Sequence, residues 1–268
     1  MSSSTTVPAL LALRGHAQPL EARVDAANNA VWLDDHRLDA SALAWDVPAI
    51  GCVYGAALNF RGLRDSLEAA FHLPPHGAPP RAPVLYIKPR NTLLAHGLPV
   101  PLPAGVETVE VGATLGVVIG RAATRLPLDH AAEVIGGYTI VNDVTIPHSS
   151  LFRPPLRFKC RDGFCPIGPW VVPGDALPSP DALAIRAYVN GELKMRNSTA
   201  NLHRSVAQLI SDVTAFMTLR AGDVLLVGVP ENPPLARAGD VMAVEIDGIG
   251  RLENRLVLEE GLLPEAAP

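Results

Sequence analysis

The sequence predicts an α+β fold built on a mixed, largely antiparallel β-sheet with few helices. Three observations carry this. Short apolar runs recur between turn residues along most of the chain. The 268 residues include 26 prolines and 22 glycines, too many breaks for a helical bundle. No regular strand–helix alternation of the parallel α/β kind runs through the sequence.

The elements follow in order. Residues 8–45 read as a small β-rich unit, with Leu10–Arg14, Leu20–Val24 and Ala30–Leu33 separated by turns at Gly15-His16 and Asn28-Asn29. Cys52–Asn59 reads as a buried strand and Arg64–His72 as a short helix. Leu73–Pro83 carries five prolines, hence a loop with the makings of a lid. Val84–Lys88 is a strand, and Val106–Ile119 alternates and then turns apolar, a strand entering the core. Asp129–Ile135 is expected as a helix with Asp129 as N-cap and Gly136-Gly137 as its stop, followed by a strand over Tyr138–Val144. Ala184–Asn190 is a strand closed by an Asn190-Gly191 hairpin turn. Leu202, Val206, Leu209, Val213 and Phe216 fall at helical spacing and predict a long helix from 202 to 219. Arg220–Val224 and Arg237–Val241 repeat one pattern, each a Gly-Asp turn that starts a strand, read as two hairpin arms. The chain divides into residues 1–48 as the small β-rich unit, 49–262 as the main domain and 263–268 as a tail.

Bulk properties narrow the function classes. Hydrophobic residues at 48% and charged residues at 18% allow a sizeable core and argue against global disorder. A net charge of −5 without a basic cluster argues against nucleic acid. No apolar run reaches the length of a membrane span, and the N-terminus lacks a signal peptide's basic and apolar regions, so a cytoplasmic protein is expected. The three cysteines, Cys52, Cys160 and Cys165, form no metal-ligand spacing and read as reduced thiols. No Gly-rich phosphate loop is present.

Two segments carry chemistry. Asn142-Asp143-Val144 offers a carboxylate at a strand end, and Phe158–Pro169 offers Lys159 among turn formers. A lysine and an acid suit an anionic keto acid, since the cation can stabilise an enolate. Arg157 and Arg161, with Lys88 and Arg90, add a basic set able to bind a multiply charged acid. Bland readings stand beside these: an Asx residue that only satisfies backbone donors, a surface lysine, and Cys160, Cys165 or His148-Ser149-Ser150 without the partners that nucleophilic catalysis requires.

From Val53 to Glu260 the chain resembles the fumarylacetoacetate hydrolase family. The resemblance rests on ordered motifs: Leu58-Asn59-Phe60, Ile87-Lys88-Pro89, Gly116–Gly120, Gly137-Tyr138 with Asn142-Asp143-Val144, Lys159 with Cys165-Pro166, Asn190-Gly191-Glu192, Gly222-Asp223-Val224 and Gly248–Asn254. Within the family it is most similar to the bifunctional isomerase/decarboxylase branch of homoprotocatechuate catabolism, to the N-terminal half, notably over Ser150–Pro154 and Lys159–Gly168. The resemblance implies a β-sheet roll with flanking helices and a dimer. It implies a divalent metal, usually Mg2+, and a keto or enol tricarboxylic acid that is decarboxylated and isomerised. It places Asp143 at a metal-ligand position, Lys159 as the active-site lysine and Lys88 against a substrate carboxylate.

The departures are specific. Where the family carries Glu-x-Glu this chain has Gly112 and Thr114; its histidine is replaced by Leu63, a glutamate by Ser66 and a threonine by Val229. Glu110, two residues before Gly112, shares its face in a regular strand and is a candidate second metal ligand; His72 or His76 could supply a base. Three readings follow: an active decarboxylase/isomerase, a metal-poor subunit that pairs with a same-family subunit, or a hydrolase of acylpyruvate or fumarylacetoacetate type.

Overall fold

The computed structural model describes residues 6–48, 51–74, 77–149, 155–177 and 179–262. Among them, one 11-stranded sheet runs His36–Asp39, Ala30–Leu33, Leu20–Asp25, Val7–Leu11, Cys165–Pro173, Ile135–Asn142, Ala113–Ile119, Val224–Leu226, Val53–Ala57, Val84–Lys88. Most neighbours are antiparallel; Val224–Leu226 with Val53–Ala57 is a parallel pair. The two-residue strand Leu93–Leu94 pairs with Cys165-Pro166. The chain that leaves the edge strand Val84–Lys88 therefore returns to the middle, and the sheet closes into a roll.

The closure explains the burial pattern. Val53, Val141, Cys165, Ile167, Val224 and Leu226 form a small cluster, with Leu93 packed against it. The alternate residues Leu115, Val117 and Ile140 belong instead to the main core, shared with Ile185, Val244 and Leu252 of a second, five-stranded sheet. A strand buried on both faces reads as a continuous apolar run, which is why 115–119 turns apolar in the sequence.

The structure changes several expectations. The strand over 106–119 breaks into Val109–Glu110 and Ala113–Ile119, with the Ala113 N–H donating back to the Val111 carbonyl at 3.1 Å. Residues 128–134 form a 3-10 helix after Pro127, and Gly136-Gly137 continue the strand Ile135–Asn142 instead of stopping a helix. These glycines serve close approach: a Cβ on Gly136 would stand 2.8 Å from the Gly120 Cα. The long helix shortens to Val206–Thr214 with Ser205 as N-cap. Phe216, placed in its apolar stripe, is 64% exposed, because the Arg125 N–H takes the Thr214 carbonyl (2.6 Å) and Leu219 turns away to pair with Ala123. The helix at 64–72 becomes Arg61–Ser66 and Glu68–Phe71. In both Gly-Asp turns the aspartate accepts from the arginine N–H three residues back, at 2.8 Å for Asp223 and 2.7 Å for Asp240. Only the second begins a hairpin, with Gly250–Leu258; the first feeds a strand between Ala113–Ile119 and Val53–Ala57.

The N-terminal meander continues the main sheet: Leu10 and Leu11 pair with Val171 and Trp170, and Trp45 packs on Trp170 at 5.7 Å between centroids. His76, Ser150–Pro154 and the 263–268 tail lie outside the described residues. No described helix is long and apolar enough to cross a membrane.

Candidate active site

Roll closure carries the edge strand Val84–Lys88 around to the end of the strand Ile135–Asn142. Strand alternation puts Tyr86 and Lys88 on one face, toward the inside, and leaves Ile87 52% exposed. Gly55 lies opposite Tyr86 and makes room for its ring, since a Cβ there would stand 2.1 Å from the Tyr86 Cζ.

Asp143 is the centre, its side chain fully buried. Lys88 Nζ stands 2.7 Å from Oδ1 and Lys159 Nζ donates to Oδ2 at 2.8 Å. The Tyr86 hydroxyl donates to Oδ2 as well. Burial by itself would raise the Asp143 carboxyl, but the Lys159 and Lys88 ammonium groups hold it at about 2, below the ordinary 3.8. Burial and the same carboxylate push the Tyr86 phenol well above its usual value, so it stays a donor.

The two lysines differ. Lys88, 2% exposed, also donates to the carbonyls of Val144 (3.2 Å), Lys159 (2.7 Å) and Phe164 (2.8 Å). Sequence reasoning set Lys88 against a substrate carboxylate; the fold turns it inward onto the chain's own. Lys159, at the end of the short helix Leu156–Lys159, uses one N–H on Asp143 and one on Thr145 Oγ1 (2.7 Å), above the Tyr86 ring at 4.7 Å. Its side chain is 16% exposed, which leaves the third N–H to serve a ligand.

Glu110 borders this group through backbone pairing with Thr145. Burial raises its carboxyl, Lys159 opposes that and Asp143 adds to it. Arg157 and Arg90 are exposed, Arg157 lying 5.8 Å over the Phe158 ring, and Arg161 Nε donates to the Arg157 carbonyl at 3.1 Å. Asn91 donates to Asp162 Oδ1 at 2.7 Å and clasps the Arg90 and Arg161 segments together. These arginines form a basic rim, separate from the buried cluster. Tyr86 and Thr145 escaped sequence reasoning; their signal is period two, Tyr86 two before Lys88 and Thr145 two after Asp143.

The donors do not fit a divalent metal. Among the described residues no three His, Cys, Asp or Glu side chains gather as a ligand set. Hard cations draw on several oxygens, and both Asp143 oxygens already face ammonium groups. Nor is space kept for the missing glutamates: a Cβ on Gly112 would stand 2.2 Å from the Asp143 carbonyl oxygen. Thr114 is fully buried, its hydroxyl turned to the Leu115 carbonyl at 3.4 Å.

A cavity of about 380 Å3 lies elsewhere, lined by Arg61, Asp181, His203, Arg204 and Ser205 among others. None of the site residues expected from sequence lines it.

Residues 52–257 match the family described as fumarylacetoacetate (FAA) hydrolase C-terminal. Over 210 residues, 78% of this chain and 48% of the relative, the sequence is 42% identical to the 4-hydroxyphenylacetate degradation bifunctional isomerase/decarboxylase of Salmonella dublin. The chain thus spans about half the length of the first curated relatives it matches. The structure of 2-hydroxyhepta-2,4-diene-1,7-dioate isomerase from Mycobacterium marinum matches with a TM-score of 0.74 at 25% identity, over 95% of this chain and 99% of that one. Maleylpyruvate hydrolase from Sphingobium sp. SYK-6, in complex with manganese(II) ion and pyruvate, shares the fold, with a TM-score of 0.68, 24% identity and coverage of 83% and 77%.

Proposed function

Because the chain belongs to the fumarylacetoacetate hydrolase family, we propose that it is an enzyme of aromatic-compound catabolism, a decarboxylase/isomerase acting on a keto or enol tricarboxylic acid of the 5-oxopent-3-ene-1,2,5-tricarboxylate type. The observation that carries this reading is the Lys159 ammonium, fixed by Asp143 and Thr145 yet partly exposed.

The chemistry uses the chain's own groups. A substrate carbonyl oxygen accepts the third N–H of Lys159. On decarboxylation the C–C bond electrons pass into that carbonyl, CO2 leaves, and the ammonium stabilises the enolate oxygen. Asp143, held ionised, is the counter-ion that aims Lys159 and is too weak a base to move the proton. Glu110 is the proton carrier, since a raised carboxyl lies nearer the working pH that general acid–base catalysis favours. The isomerisation is the same enolate reprotonated at another carbon. The arginine rim of Arg90, Arg157 and Arg161 attracts the remaining carboxylates.

A second reading is favoured by the donor set: a metal-poor subunit that acts with a competent same-family subunit, as homodimer or heteromer. CO2 release by the purified chain in excess chelator separates the two. The first reading expects turnover without added metal and a loss of about 100-fold in Lys159→Met. Turnover that appears only on adding a same-family subunit supports the second; turnover indifferent to Lys159→Met sinks the first.

A further inference from the structure

We propose that Glu231 is a second proton carrier of this cleft, serving a different substrate carbon from Glu110; the inference rests on the decarboxylase/isomerase reading. Three observations carry it.

The first is position. Strands Val53–Ala57, Ile135–Asn142 and Val224–Leu226 run in the same direction, so the segments that leave them, bearing Asn59, Asp143 and Glu231, emerge at one end of the roll. The segment that follows Glu231 runs back along the Glu110 strand: the Val111 N–H donates to the Pro234 carbonyl at 2.8 Å, and Leu235 pairs with Glu110.

The second is an unspent acceptor. Glu231 Oε1 accepts from Asn197 Nδ2 at 3.3 Å, a long bond, while Oε2 is buried with no hydrogen-bond partner among the described residues. Leaving a buried carboxylate oxygen without a hydrogen bond costs stability, so the oxygen calls for an account.

The third is the room made for it. The carboxyl lies against Gly62, where a Cβ would stand 2.4 Å from Glu231 Cδ, so any side chain at 62 would displace it. The helix that carries Gly62 begins at Arg61, which lines the 380 Å3 cavity with His203 and Arg204.

In the step, the Glu231 carboxylate removes a proton from a carbon conjugated to the carbonyl. The C–H electrons pass into the π system, and the carbonyl oxygen becomes an enolate bound at Lys159. Proton return at the second carbon, from Glu110, restores the keto form; Glu231 then passes its proton to water and Glu110 regains one from water, which closes the cycle.

The test compares wild type, Glu231→Gln and Glu231→Asp on 5-oxopent-3-ene-1,2,5-tricarboxylate, reading kcat, KM and the melting temperature. The expected result is a kcat lower by about 100-fold in Glu231→Gln with KM nearly unchanged. Glu231→Asp should partly restore kcat. The melting temperature of Glu231→Gln should hold or rise by about 2–4 °C, since an amide NH2 replaces the carboxyl oxygen that has no hydrogen bond. A kcat within threefold of wild type in Glu231→Gln, while Lys159→Met is dead, overturns this inference alone. A fall in melting temperature with unchanged kcat makes Glu231 structural and overturns it too. A wild type without turnover overturns both this inference and the reading beneath it.

Discussion

Lys88 and Asp143 form an ion pair of 2.7 Å in which both side chains are entirely removed from solvent. The pair joins the last strand of the roll to the end of a central one, so a charge contact closes the sheet as well as setting the site.

Lys88→Ala should therefore be strongly destabilising. It leaves Asp143 half-compensated and three carbonyls without a donor, a loss of about 3–5 kcal/mol. Urea denaturation of Lys88→Ala, Asp143→Leu and the double variant checks this. The double variant should cost clearly less than the sum of the singles, because each single leaves a buried charge behind.

The same cluster makes stability depend on acid. The Asp143 carboxyl stands at about 2 in the fold against 3.8 ordinarily. Its contribution is therefore complete above pH 4 and is lost as pH falls toward 2. At 1.36 kcal/mol per unit the loss is roughly 2 kcal/mol. Denaturation followed between pH 5 and pH 2 should show it, and Asp143→Asn, less stable throughout, should show a flatter slope over that window.

Gly112 tests whether the family's glutamates could be restored. A Cβ there meets backbone, the Asp143 carbonyl, at 2.2 Å. Gly112→Ala should lose about 1–3 kcal/mol through forced displacement. Gly112→Glu with Thr114→Glu should melt lower still and gain no stabilisation from millimolar Mg2+ or Mn2+. A site that bound either ion in the native state would raise the melting temperature by mass action; such a rise, in the variant or in wild type, would contradict the closed lysine–aspartate cluster.

Much of this site was legible as residue types in order. Lys159 and Asp143 stood out because each sits beside chain-reversing residues, and the structure brings them within 2.8 Å. Lys88 was also visible, but its direction was not, since the carboxylate it meets lies 55 residues onward and is reached only by closing the roll. Glu110 looked like a neighbour of Gly112 on a continuous strand. The break at 111–113 removes that alternation and leaves Glu110 beside Thr145. Glu231 gave no signal at all: its interest is one oxygen with no hydrogen-bond partner among the described residues, and only the folded chain decides which groups meet.

What the sequence determined by itself was local. Alternation, turn chemistry at Asn190-Gly191 and the Gly-Asp turns, and motif order set the strands, the sheet class and the family, because these depend on neighbours within a few residues. Tertiary structure decided everything that needs distance. It chose which lysine faces inward, whether an aspartate has oxygens left for a metal, and how long the helix at 206–214 runs. Charges and helix ends are settled by whatever the folded chain packs against them, and those partners lie tens of residues away.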